Sequence, residues 1–234
     1  TVAVKGDIRT DCPHLSWPKS ARKTVNMGEE KHPEDFLIPA PKGASSVDVK
    51  VIGVIENQAP TKALDARLPV KNGHICSKNE ICQIALIERH QATGVVTNAF
   101  VTGFGYQGEM AVASTVAHDS HHMIVVGTCR KNMALASNRL AEVGGGVTVW
   151  KDCSELALVE LPIAGLMSDA PALMVAAKAD RMTEAIKECG CSLNNAFMQH
   201  SLLALVVIPE IRISDLGLID VTKFEITNLV KGSE

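Results

Sequence analysis

Met123-Ile124-Val125-Val126-Gly127, the pattern from Lys131 to Val143, and the run Gly144-Gly145-Gly146-Val147-Thr148-Val149-Trp150 decide the fold. The first is an apolar run of strand length. Met133, Ala136, Leu140 and Val143 then recur at helical spacing, and three glycines able to take positive φ stop the helix. Val147 to Trp150 resumes a strand. The stretch reads as a β-α-β unit whose helix covers one face of a sheet.

The sheet continues outward in both directions. Val47, Val49 and Val51 alternate with polar residues and run into Gly53-Val54-Ile55, and Leu64 to Val70, Val95 to Thr102 and Met110 to Val116 are further strands. Ile81 to Arg89 is ambiguous between strand and helix at its length. Downstream, Leu156 to Leu161 is a strand. A long helix is expected from Pro171 to Cys189, with Asp169 as its cap and proline near its first turn. Leu202 to Val207 and Leu218 to Phe224 close the apolar pattern. The expected fold class is mixed α/β: a mostly antiparallel or mixed sheet with at least two helices packed on it.

Residues 1–46 differ in character. Val2 to Ile8 reads as one short strand, and Pro13, Pro18, Pro33, Pro39 and Pro41 punctuate an extended connector rather than packed structure. The expected organisation is a strand and linker over 1–46, then an α/β domain over 47–234. Thr1-Val2-Ala3 opens inside the strand pattern without an initiator Met, so a piece of something longer is expected.

Composition narrows the function. Aromatic residues supply 3% of the 234 residues against 46% for all hydrophobic types, so the core falls to Val, Ile, Leu, Ala and Met. Net charge is -3 and no Lys/Arg cluster is dense enough for many phosphate contacts, which argues against a nucleic-acid partner. The longest apolar run, Leu202 to Ile208, is far short of the roughly 20 residues that cross a bilayer. No charged-then-apolar leader is seen, so a cytoplasmic protein with no membrane partner is expected. Cysteines 12, 76, 82, 129, 153, 189 and 191 lack paired spacing and read as free thiols in a reducing compartment.

The densest polar constellation is His118-Asp119-Ser120-His121-His122, three imidazoles and a carboxylate between two apolar strands. A strand would send His118, Ser120 and His122 to one face; a turn or helix would gather His118, His121 and His122. Either can offer nitrogens to a metal or a substrate, with Asp119 as ligand or as orienter of a ring. Glu88-Arg89-His90 ends a strand: Glu88 is a candidate for proton transfer and Arg89 for holding an anion, although a surface ion pair beside a solvated histidine is the favoured reading. Gly103-Phe104-Gly105-Tyr106-Gln107-Gly108 spells a dinucleotide-binding pattern, but strand rather than helix follows it, so it reads as a hairpin or bulge. Cys189-Gly190-Cys191 and the pair Cys76 and Cys82 read as incidental thiols.

The run from Val116 to Thr128, with its His-Asp-Ser-His centre, resembles a signature of the adenine deaminase C-terminal domain in the amidohydrolase superfamily. Its companions stand in order: Pro33-Glu34-Asp35-Phe36 with Ile38-Pro39-Ala40-Pro41, Glu88-Arg89-His90, Gly103-Phe104-Gly105, Gly144-Gly145-Gly146, the run from Leu161 to Asp169, Phe197-Met198, and Val207-Ile208-Pro209-Glu210. The resemblance covers nearly the whole chain. It implies a purine-salvage hydrolase that converts adenine to hypoxanthine and ammonia, using iron or manganese, or zinc, held by a barrel.

The His-x-His with which that barrel's ligands begin is absent from this sequence, so the implied partner is an amidohydrolase barrel in the same or another chain. The residue patterns and the resemblance together leave Glu88, His118, Asp119 and His121 as candidates for catalysis, Arg89, Ser120 and Asp169 for substrate binding, and His118, His121 and His122 for metal. From their density and the motif match, His118, Asp119 and His121 are expected to face the barrel mouth in the complete enzyme and to complete or cover the purine site. His122 stands where Asn is common, and Gln199-His200 where Thr-Leu is usual. A stand-alone metal- or purine-binding descendant, and a structural or homo-oligomerising domain, are the alternatives.

Overall fold

The computed structural model describes residues 2–10 and 16–232; Cys12 and Pro13 lie outside them. Ala3–Val4 (β1) and Asp7–Ile8 (β2) form an antiparallel hairpin reversing at Lys5 and Gly6, whose φ values are 52° and 90°. The single strand expected over Val2 to Ile8 is thus broken in its middle, where glycine makes a tight reversal cheap.

The body of the protein is one nine-stranded sheet. In chain order its strands are Ser46–Val54 (β3), Thr61–Lys71 (β4), His74–Ile75 (β5), Cys82–Ile87 (β6), Val96–Thr102 (β7), Met110–Ser114 (β8), Met123–Gly127 (β9), Gly146–Lys151 (β10) and Ser154–Glu160 (β11). They lie side by side as β11-β10-β8-β9-β6-β7-β3-β4-β5, antiparallel throughout except where β3 meets β7. The ambiguous Ile81 to Arg89 stretch is the strand β6, flanked by β9 and β7 with all six residues buried. Both of its faces are covered, which is why it is apolar without alternation apart from Gln83, whose buried amide donates to Asn98 Oδ1 at 2.9 Å.

The β-α-β unit is present with one strand inserted. Arg130–Val143 (α1) carries the chain from β9 to β10, which run parallel, but β8 lies between them and is antiparallel to both. Gly144 ends α1 at φ 84°. On one face, Met133, Ala136 and Leu140 of α1 pack over Ala85, Ile87, Ala111, Ala113, Met123 and Val125. The opposite face presents Ile84, Leu86, Val112, Ile124, Val126 and Val149 to Met182, Ala185 and Ile186 of Ala172–Glu188 (α2). Ala196–Leu202 (α3) and a small sheet of Ile211–Ser214 (β12), Gly217–Asp220 (β13) and Glu225–Thr227 (β14) complete that layer. The alternation of side chains along each strand therefore feeds two separate cores.

Three expectations need correction. The proline-punctuated segment is irregular but packed: Met27, Phe36 and Ile38 are buried, and Ile75 N–H donates to the Ile38 carbonyl at 2.8 Å. Asp169 does not cap α2, whose N-cap is Pro171 without a side-chain hydrogen bond; its carboxylate pairs with Arg22 instead. The glycine-rich run at 103–108 is neither hairpin nor bulge but a loop joining β7 to β8, which are not neighbours.

That loop buries Phe104 and Tyr106 against His200, which is 0% exposed. His200 Nε2 lies 2.7 Å from the Tyr106 hydroxyl, while its Nδ1 has no partner among the described residues. Burial pushes this imidazole down to about 3. The unfolded chain takes up a proton near pH 6.5 that the native state refuses, so this group removes stability as pH falls from 6.5 toward 3. His200→Leu is expected to shrink the loss of unfolding free energy between pH 7 and pH 5 by about 2 kcal/mol in urea titrations. Equal losses in the two proteins would contradict a neutral His200. Among the described residues no helix is long and apolar enough to cross a membrane.

Candidate functional site

Antiparallel pairing brings several strand ends to one end of the sheet. β6 leaves there at Ile87 and β7 enters at Val96; β8 leaves at Ser114 and β9 enters at Met123; β10 enters at Gly146 as β11 leaves at Glu160. The loops 88–95, 115–122 and 161–169 and the glycines 144–146 are consequently neighbours, although they are far apart in sequence.

Arg89 ties them together. It is 1% exposed, and its Nε donates to the His121 carbonyl at 2.5 Å, Nη1 to the Thr24 carbonyl at 3.3 Å, and Nη2 to the Ala164 carbonyl at 3.2 Å. Gly165 lets the guanidinium pass: a Cβ there would meet it at 2.9–3.1 Å. Burial lowers Arg89 to about 10, opposed by adjacent Glu88. With its donors engaged inside the protein, Arg89 is a loop-fastening group here rather than an open anion site.

Glu88 is 5% exposed and equally committed. Oε1 accepts from the N–H groups of His90 (2.5 Å) and Gln91 (2.9 Å), and Oε2 from the N–H and hydroxyl of Thr93, both at 3.0 Å. Burial alone would raise this carboxyl; the hydrogen bonds of the 90–93 turn outweigh it and hold it at about 2. A carboxylate so saturated stays ionised, which suits a turn organiser and not a proton donor. The surface ion pair favoured from sequence is in fact a pair of buried groups, each with its own partners.

The His-Asp-Ser-His-His run forms a turn, and it divides its imidazoles. His118 and His121 face each other edge to face, 5.4 Å between centroids. The Ala117 N–H donates to His121 Nδ1 at 3.2 Å, so the ring proton resides on Nε2. Burial, with His118 and Arg89 adding to it, lowers the His121 pKa and keeps the ring neutral. His121 therefore offers an N–H donor outward. A neutral imidazole ligates metal through a nitrogen without a proton, the other ring N–H donating to a partner, which is the opposite assignment. Asp119 and Ser120 are exposed beside it.

His122 turns away. Its Nδ1 lies 3.9 Å from Glu88 Oε1 and its Nε2 3.7 Å from Asp215 Oδ2, and its ring packs on His90 at 4.8 Å. His90 Nε2 in turn lies 2.8 Å from the Ser120 carbonyl. His118, His121 and His122 are thus not gathered on one point. Among the described residues no group of three or more His, Cys, Asp or Glu could hold a metal ion, so the described side chains of this turn do not form an iron or manganese centre.

Thr115, Asp215 and Thr24 contribute without having been expected. Thr115 Oγ1 donates to the Gly165 carbonyl at 2.6 Å and accepts from the Gly146 N–H at 2.8 Å, fastening two loops. No local pattern marks these residues, because their partners come from distant segments. Asp169 is held at the edge of the same end by Arg22, whose hydrogen bond lowers its pKa.

The model of the adenine deaminase C-terminal domain family matches residues 58–225. An adenine deaminase of Ruegeria pomeroyi is 67% identical over 233 residues, covering 98% of this chain and 39% of that relative. The figures for an adenine deaminase of Roseobacter denitrificans are 65% over 230 residues, 98% and 38%. One from Moorella thermoacetica is 41% identical over 233 residues, 99% and 39%. The chain spans under two fifths of the length of these curated relatives. The chain belongs to the adenine deaminase C-terminal domain family.

Proposed function

We propose that this chain acts within a longer adenine deaminase, where a metal-binding barrel outside it hydrolyses adenine to hypoxanthine and ammonia. In this reading the loop end of the sheet covers the purine site. His121 Nε2–H donates to a ring acceptor of the purine, and His118, Asp119 and Ser120 line the same approach. Glu88 and Arg89 hold that surface in shape from beneath. The iron or manganese implied by the resemblance belongs to the barrel, a reading supported by the lack of a gathered donor set among the described residues.

One observation carries the reading most directly. Glu88-Arg89-His90, His118 to His122, Gly144 to Gly146 and Leu161 to Asp169 converge on a single end of the sheet and are hydrogen-bonded to one another through Arg89 and Thr115. The test uses the longer protein bearing this domain. His121→Ala is expected to lower kcat/KM for adenine about 10- to 100-fold, as loss of one hydrogen bond to substrate does, with metal content unchanged. Unchanged rates in both His118→Ala and His121→Ala would remove this end of the sheet from the reaction.

A further inference from the structure

A groove of 590 Å³ runs along the outer side of α1, on the face of the sheet opposite α2. Its walls are the segment 25–30 and α1; Trp150 and Leu135 are among its lining residues. It is preformed. The Asn26 N–H donates to the Arg89 carbonyl at 2.8 Å at one end, and at the other the Asn138 amide both accepts from the Lys31 N–H and donates to the Lys31 carbonyl, each at 2.8 Å.

The charge of this groove is unbalanced. Its one cationic lining residue, Arg139, is consumed by Glu142 at 2.7 Å and Glu155 at 2.9 Å. Glu29 and Glu30 also line it, and neither has a cationic side-chain partner among the described residues; Glu30 receives only the Asn138 amide at 3.4 Å. An indole, aliphatic side chains and two uncompensated carboxylates together match one chemistry: a cation on an apolar body, its charge near the carboxylates, its hydrocarbon against Leu135, Met27 and Trp150.

We propose that this groove binds a small organic ammonium ion. The site is distinct from the loop end bearing His118 and His121, and its existence does not depend on the deaminase reading. The test uses the longer protein bearing this domain. Calorimetric titration with cyclohexylmethylamine is expected to give saturable binding, with Kd of about 1 mM or tighter. The uncharged cyclohexylmethanol should bind at least about tenfold more weakly, and 1 M salt should weaken the amine, as exposed carboxylates require. Glu29→Gln with Glu30→Gln, both exposed and therefore harmless to folding, should weaken the amine about tenfold and leave the alcohol unchanged. No saturation by about 10 mM, equal binding of amine and alcohol, or an unaltered double variant each overturns the proposal.

Discussion

Arg89→Ala is expected to lower the unfolding free energy by about 3 to 5 kcal/mol, the cost typical of truncating a buried, fully bonded charged group. Three carbonyls, those of His121, Thr24 and Ala164, would lose their donor at once. Water entering the vacated volume offsets part of this, which keeps the figure below the sum of three separate losses. Arg89→Lys should recover only a minor part, because an ammonium is a point charge and cannot reach in three directions as the planar fork does. The effect should also be local. Hydrogen exchange at 118–122 and 163–165 is expected to quicken well beyond that of β3 and β4. A loss under about 1 kcal/mol would mean that the three bonds do not hold the loops together.

Gly146→Ala is expected to cost about 4 kcal/mol or to prevent accumulation of folded protein. Gly146 has φ 148°, and a Cβ on it would lie 2.1 Å from the Val159 carbonyl oxygen and 3.2 Å from Glu160 Cα. These are backbone atoms of the paired strand β11, so the clash cannot be relieved by a rotamer change. Gly146 N–H is also the group bonded to Thr115 Oγ1, so any shift of β10 disturbs the loop end. Gly108→Ala is the control. Its φ is also positive, at 74°, but the nearest atom to a Cβ is the flexible Lys151 Cε at 3.7 Å, and only backbone strain of about 1 kcal/mol is expected. Similar urea midpoints for the two variants would contradict the steric account.

Much of the sheet was legible because its physics is local. β8 and β9 are buried throughout and announce themselves as short, largely apolar runs, and α1 is framed by its own periodicity and by Gly144. The density of histidine at 118–122 was legible for the same reason. What the five residues do was not. Whether His122 joins His118 and His121 depends on the turn, and its place beside Glu88 is completed by Asp215, which arrives from the small sheet. Glu88 and Arg89 look like a solvated pair when only sequence neighbours are weighed. Their burial follows from the carbonyls and turn N–H groups around them, of which Thr24, His121 and Ala164 come from three separate segments. Asp169 illustrates the same limit. A helix cap is a local guess, whereas Arg22 approaches from the linker.

The strand order also bears on how the molecule would come apart. β3–β4, β6–β7, β8–β9 and β10–β11 are each antiparallel pairs of strands consecutive in the chain, so they close with little loop entropy. Larger closures fall on the seams β6–β9, β8–β10 and β3–β7. The last has just two paired positions, Ile52 with Val101 and Gly53 with Thr102. Opening there, together with loss of the bonds that tie Thr61 of β4 to Pro209, Glu210 and Ile211, would release β3, β4 and β5 as one cooperative unit, with the C-terminal stretch bonded to β3 through Leu229, while the Arg89-fastened loops stay closed.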